Sequence, residues 1–279
     1  MPLQRIDPKH YQAFQALLEE FCGIVLGPNK QYLVSSRLNK LMREYGLGSL
    51  GELVDRLNQP GNVELRGKVV DQMTTNETQW FRDEYPFSVL KNTIFPQFMD
   101  SGTRNVKIWS AACSTGQEPY SISMAIDEFR SSVSGGALFD GTIIGTDISP
   151  TVLEQAKNGI YQSSAISRGL SPERRNRFFE RNGDGSWCVS KDIKSRVSFK
   201  NFNLLESYSL LGRFDIIFCR NVLIYFSSDL RAQIIGGMTR ILNKGGYLVL
   251  GSSESLGIHS KSYEFVKYNA GVIYKLKDD

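Results

Sequence analysis

The chain has little of what most metal, redox and nucleic-acid chemistry requires. Two histidines, His10 and His259, occur in 279 residues, which disfavours mechanisms that lean on several imidazoles. The four cysteines, Cys22, Cys113, Cys188 and Cys219, lie far apart and form no Cys-x-x-Cys pair. Reduced buried thiols are therefore expected in place of structural zinc. No apolar run approaches the ~20 residues of a membrane-spanning helix. Residues 1–7 lack the apolar core of a signal peptide, so the expected address is cytoplasmic. A net charge of +4 favours an acidic partner slightly and falls well short of the basic surplus of a nucleic-acid binder.

What the chain does have is organised around residues 109–121, WSAACSTGQEPYS. A β-prone run at 106–109 leads in, and apolar residues at near-helical spacing follow from Tyr120 to Ile126. Gly116 lets the backbone between them turn sharply and come close to a ligand. A strand, a loop of small residues and a helix start make the first half of a nucleotide-type site. Glu118 at that helix start is poor company for pyrophosphate but suits a ligand bearing an ammonium or sulfonium. The reading moves away from NAD and ATP and toward S-adenosylmethionine.

Residues 1–75 read as helices alone. Asp7-Pro8 supplies a cap and a first-turn proline, Tyr11, Phe14, Leu17, Leu18 and Phe21 mark an apolar face, and Gly23 is a stop. A second helix is expected over 31–45, with Arg37, Lys40 and Arg43 along one flank. Those three cations fit either a solvated surface or a docking stripe for an acidic helix. Ser49 and Glu52 form a capping-box pattern for a third helix, and Asn62 is a cap for a fourth. The helical pattern then breaks at 74–82, TTNETQWFR, which is placed to cross a cleft before the first strand. Asn76 reads equally as a turn residue. Arg82, beside Trp80 and Phe81, is expected to be partly buried and so to need a carboxylate partner.

From residue 106 strands and helices alternate, as in a parallel sheet covered on both faces. Strands are expected at 106–109, at 142–146 ending on Asp147, at 214–219 ending on Arg220-Asn221, and at 245–251. Runs at 263–268 and 271–276, joined by Asn269-Ala270, read as an antiparallel pair closing the sheet edge. Residues 178–202 interrupt the alternation as a small antiparallel excursion, either a recognition appendage or a plain hairpin. Asp147 stands where this architecture binds ribose hydroxyls; the lesser alternative is a cap for the helix beginning near Pro150. Asn203-Leu204 and Asn221 fall at matching strand ends, facing the same crevice. Residues 220–226, RNVLIYF, look superficially like the Asn-Pro-Pro-Tyr box of methyltransferases acting on bases, but both prolines are missing. A carboxylate acceptor is already an anion at neutral pH. Its methylation needs cations or donors to place an oxygen, which Arg82 and Tyr225 supply, and no histidine base.

Residues 74–78 with Phe81-Arg82, 109–121, 145–149 and 218–226 together resemble the motif series of the chemotaxis receptor methyltransferases, the CheR family. The resemblance covers essentially the whole chain. It implies an α/β fold, a Rossmann-like S-adenosylmethionine-dependent methyltransferase sheet with a helical N-terminal domain and a small inserted antiparallel β-subdomain. The implied domains are 1–75 and 76–279, with 178–202 as the insertion. The implied activity is protein-glutamate O-methylation: a receptor glutamate oxygen takes the sulfonium methyl, giving the γ-methyl ester and S-adenosylhomocysteine for bacterial chemotaxis adaptation, without metal. Carried over by motif, Asn76, Thr78 and Arg82 would contact the methionine part of the cofactor, Glu118 its ammonium and Asp147 its ribose. Asn203, Leu204, Arg220 and Asn221 would lie around the adenine and the sulfonium side. Arg82 and Tyr225 would stand closest to the transferred methyl. The implied partner is the cytoplasmic helices of a chemoreceptor, docked on Arg37, Lys40 and Arg43, with no nucleic acid and no membrane insertion, by a monomer. In some members the β-subdomain grips a receptor C-terminal pentapeptide. Gln117 departs from members with a second acid there. A non-catalytic adaptor and a nicotinamide oxidoreductase are the rival readings.

Overall fold

The computed structural model describes residues 6–268 and 271–278. The chain begins with four helices, α1 (Pro8–Cys22), α2 (Gln31–Glu44), α3 (Leu50–Asn58) and α4 (Val63–Met73). Asp7 caps α1 by accepting the Lys9 N–H at 2.7 Å, and Gly23 ends it in the left-handed region at φ +76. A Cβ at Gly23 would strike Phe226 and Leu230, so this glycine also lets the helical part seat against the rest of the chain. Ser49 accepts the Glu52 N–H, and Glu52 reaches back to the Gly48 N–H, closing a capping box on α3. Asn62 precedes α4 without capping it; its amide donates to the Arg56 carbonyl instead. Phe14, Leu18, Leu38, Leu53, Leu57 and Val69 fill the space between these helices.

The chain then runs through α5 (Tyr85–Val89), a π-helical turn (Leu90–Ile94) and α6 (Phe95–Asp100). Alternation begins with β1 (Asn105–Ala111), α7 (Gln117–Ser132), β2 (Asp140–Asp147) and α8 (Pro150–Asn158). Next come β3 (Ile160–Tyr161), α9 (Ser163–Ile166), α10 (Pro172–Phe178), β4 (Phe179–Arg181), β5 (Trp187–Val189) and α11 (Lys191–Ser195). The chain closes with β6 (Val197–Asn201), β7 (Phe214–Cys219), α12 (Ser228–Ile241), β8 (Leu242–Leu250), β9 (Tyr263–Tyr268) and β10 (Gly271–Leu276).

Seven strands make the main sheet in the order β6-β2-β1-β7-β8-β10-β9. The first five are parallel, and β10 and β9 add on antiparallel at one edge. Strand order reverses between β1 and β7, so a crevice opens at their carboxyl ends, where ligands bind in such sheets. Successive side chains of β1 face opposite ways: Ile108 joins the core that holds Phe87, Ile126 and Phe218, while Trp109 joins the other, stacked on Phe214 with Tyr208 edge-on. The residues joining β9 to β10, Asn269-Ala270, lie outside those described.

The antiparallel excursion differs from the expected 178–202. Its sheet is β3-β5-β4, so it starts as early as Ile160, and the run from Val197 is not part of it. That run is β6, paired parallel to β2 from Ile143↔Val197 to Asp147↔Asn201. The physical reason is pairing: β2 has an open edge, and a strand covered on one side by α8 and α11 completes it.

Candidate active site

The loop leaving β1 coils tightly because Ala112, Ser114 and Gly116 take positive φ, of 56, 51 and 91°. At Gly116 a Cβ would stand 2.9 Å from the Ala156 Cβ, so glycine allows α8 to pack on the loop. This coil points the Ser114 N–H at Asp147 Oδ2, 2.8 Å away, while the Ser149 N–H donates to Oδ1 at 3.0 Å. Asp147 is thus fixed across two strand ends. The cap of α8 is Ser149, whose hydroxyl accepts the Val152 N–H. Burial pushes the Asp147 carboxyl up in pKa, against the pull of its backbone donors.

Glu118, in the first turn of α7, accepts from Ser110 Oγ at 2.8 Å and from Arg220 Nη1 at 3.0 Å. Burial raises its pKa as well, opposed by Arg220, Ser110 and Arg82. Arg220 has a side chain only 1% exposed. Its Nη2 donates to the Arg82 carbonyl at 2.9 Å and to Asp83 Oδ2 at 2.7 Å, and its Nε has no partner.

A carboxylate partner is expected for Arg82; the structure gives carboxylates to Arg220 instead. Arg82 is half-buried, and its guanidinium makes one long bond, from Nη1 to the Glu77 carbonyl at 3.3 Å. The difference follows from depth. The strand-end arginine is enclosed and must be neutralised, whereas the loop arginine still reaches open space.

Asn221 sits at φ +58, held by a residue the sequence reading missed. Glu254 accepts the N–H groups of Asn221, Val222 and Leu223 at 2.8, 2.9 and 2.7 Å, and that of Gly251 at 2.7 Å. The available signal was an acid three residues past Gly251, at the end of the strand adjoining β7. Asn203 is engaged elsewhere: Nδ2 donates to the Phe21 carbonyl at 2.8 Å and Oδ1 accepts the Leu205 N–H at 3.1 Å. Its amide therefore ties the helical part to the sheet and keeps one N–H and one lone pair over. Leu204 presents a buried apolar side chain, its carbonyl taken by the Tyr208 hydroxyl at 2.8 Å. Tyr225 accepts the Val25 N–H at its carbonyl at 2.9 Å and keeps its half-buried ring on the cavity wall.

One cavity of about 340 Å³ is lined by Asn76, Thr78, Arg82, Glu118, Asp147, Asn203, Leu204, Arg220, Asn221 and Tyr225. Ile24, Val25, Leu26, Gly27 and Lys30 of the helical part complete the wall. The size suits a small organic ligand. Of the cation stripe, Arg37 turns inward: it donates to the Met73 and Thr74 carbonyls at 2.5 and 2.9 Å and to Thr75 Oγ1 at 2.9 Å. It thereby pins the start of the 74–82 segment and is not a free docking cation. Lys40 and Arg43 stay outward, Lys40 with 85% of its side chain exposed and Arg43 bonded to the Asn39 carbonyl at 3.2 Å.

Two buried carboxylates whose ionised forms are disfavoured by burial fit a ligand that brings its own positive charge, and the crevice lies at the switch point of a parallel sheet. These features define the class of S-adenosylmethionine-dependent methyltransferases. The CheR methyltransferase SAM-binding domain matches residues 76–272, and the CheR methyltransferase all-alpha domain matches residues 9–74. A chemotaxis protein methyltransferase of Pseudomonas putida is 53% identical over 268 residues, 96% of this chain and 98% of that one. One of Vibrio cholerae is 51% identical over 272 residues, 98% of each chain. A third, of Salmonella typhimurium, is 32% identical over 254 residues, 90% of this chain and 85% of that one. The chain belongs to the CheR methyltransferase family. Among the described residues no cluster of His, Cys, Asp and Glu is arranged to hold a metal ion, and no helix is long and apolar enough to cross a membrane.

Proposed function

We propose that the protein methylates glutamate side chains on the cytoplasmic helices of chemoreceptors, giving the γ-methyl ester and S-adenosylhomocysteine for adaptation in chemotaxis. The observation that carries this reading is the difference between the two arginines at the crevice. Arg220 is neutralised by Glu118 and Asp83, while Arg82 keeps most of its five N–H donors free on the cavity wall.

When bound, S-adenosylmethionine supplies a methyl group made electrophilic by its sulfonium sulfur. Glu118 would hold the ammonium, Asp147 the ribose, and Asn76 and Thr78 the methionine part. Leu204 and Asn221 would flank the adenine. Arg82 orients the acceptor carboxylate, whose charge makes a general base unnecessary, and the Tyr225 hydroxyl gives a second donor. The wall at 24–27 keeps water from the reacting oxygen. Residues 1–75 serve as the receptor-docking unit through Lys40 and Arg43, and 76–279 as the methyltransferase unit. For a receptor with a C-terminal pentapeptide, the β-subdomain is the face to meet it: the guanidinium groups of Arg175 and Arg181 lie 5.0 and 5.9 Å from the centre of the Trp187 ring. The protein works as a cytoplasmic monomer in this reading.

The test is transfer from radiolabelled donor to candidate receptors, followed by mass spectrometry of the modified residues. Methyl esters on receptor glutamates support the reading; no transfer, or methyl on another residue type, overturns it. S-adenosylhomocysteine should raise the melting temperature where NAD does not.

A further inference from the structure

Among the described residues, positive φ at non-glycine positions is densest at 80–84. Phe81, Asp83 and Glu84 all adopt positive φ, of 47, 66 and 45°, and none is glycine. Such a conformation is strained and persists only where the surroundings over-determine it. The surroundings here are specific. Trp80 donates from its backbone to the Arg168 carbonyl at 3.2 Å and from its indole to the Ala165 carbonyl at 3.1 Å. The Phe81 N–H donates to Ser121 Oγ at 3.1 Å, and Arg220 holds the Arg82 carbonyl.

One support comes from outside the crevice. The Arg174 guanidinium lies over the buried Phe81 ring, 3.6 Å from its centre. Glu128 fixes that guanidinium with a two-pronged fork, Nε to Oε1 at 2.6 Å and Nη2 to Oε2 at 3.1 Å. Lys91 holds Glu128 from the other side at 2.5 Å. Neither Arg174 nor Glu128 lines the cofactor cavity; they open onto a separate cleft with Asn92, Glu173 and Arg177.

We propose that Arg174 and Glu128 are positioning residues for Arg82: the fork presses a flat cation onto Phe81, locking the strained turn that aims the next side chain at the acceptor. The inference rests on the reading of Arg82 given above. Without the fork, Phe81 relaxes toward ordinary φ and the Arg82 guanidinium leaves its place. A shift of ~1 Å at a reacting centre costs about a hundredfold, so a partial loss of aim costs about tenfold or more.

The test is receptor methylation by Arg174→Gln and Glu128→Gln, each alone and each combined with Arg82→Ala, together with S-adenosylhomocysteine titration and thermal unfolding. Arg174→Gln is expected to lower kcat by about tenfold or more while KM for receptor and affinity for S-adenosylhomocysteine hold. Glu128→Gln is expected to show the same split, smaller. In the Arg82→Ala background neither substitution should lower the remaining rate further, because both act through Arg82. If Arg174→Gln fails to fold, the milder Glu128→Gln decides. Wild-type kcat in the folded single variants, or losses that add to that of Arg82→Ala, would overturn the inference and leave the reading of Arg82 standing. Full activity of Arg82→Ala by itself would instead remove that reading first.

Discussion

Two arginines separated by 138 residues in the chain meet at one crevice and are treated in opposite ways. Arg220 is sealed under the loops, with Glu118 and Asp83 on its two terminal nitrogens. Arg82 belongs to a strained turn and makes no direct ion pair among the described residues, although its charge acts on Glu118 from farther off. A buried charge with acids around it organises structure, because removing it strands its partners. A charge left without an acid can meet an anion brought by a substrate. Residue type alone does not separate these roles; the number of donors already satisfied does.

Substitutions at the two positions should pull that contrast apart. The largest effect on folding is expected from Arg220→Met, which leaves Glu118 without its cation. Unfolding in urea should show a loss of about 3–5 kcal/mol. Arg82→Ala should leave the urea midpoint in place and raise the barrier to methylation by roughly 3–4 kcal/mol, as loss of one oriented donor does elsewhere. Glu254→Gln sits between the two in character. It weakens a carboxylate that collects four backbone N–H groups, so about 1–3 kcal/mol of stability should go, with a matching fall in turnover as Asn221 and Tyr225 lose their fixed loop.

The pH dependence sharpens the same comparison from the acid side. Burial raises both Glu118 and Asp147, so these groups favour the folded, ligand-free protein below the ordinary carboxylate range, and that contribution is lost as pH rises through their raised pKa values. The ammonium of the bound ligand stabilises the ionised Glu118. Affinity for S-adenosylhomocysteine should therefore climb with pH just above the ordinary carboxylate range and then level off. Binding there should release protons, detectable by calorimetry in buffers of different ionisation heat. A flat affinity would return Glu118 to a purely structural role beside Arg220. The smallest effect is expected for Lys40→Ala with Arg43→Ala. A few-fold rise in receptor KM that fades in high salt, with kcat unchanged, is the behaviour of exposed docking charges.

Much of this was legible in the sequence, and the failures share a cause. Caps at Asp7 and Ser49 and the stop at Gly23 were readable because each depends on residues within four positions of itself. The cluster of candidate side chains at one crevice was readable because parallel strands deliver their carboxyl ends to the same place. What could not be read was partner choice across long separations. Asn203 bonds Phe21, Arg37 bonds the turn at 73–75, and Glu254 gathers the loop after β7. All are polar side chains whose nearest competitors are set by packing, not by spacing. The strand at Val197 was misplaced for a similar reason: its alternation fits a hairpin as well as a sheet edge, and only the open side of β2 decides.

The most direct test measures two quantities on the same two variants: the rate of ester formation on receptor glutamates, and the free energy of unfolding. A crossed result is predicted, with Arg82→Ala stable yet nearly inactive and Arg220→Met strongly destabilised. If Arg82→Ala turned over like the unaltered protein, the free guanidinium would have no part in holding the acceptor, and the account would fail.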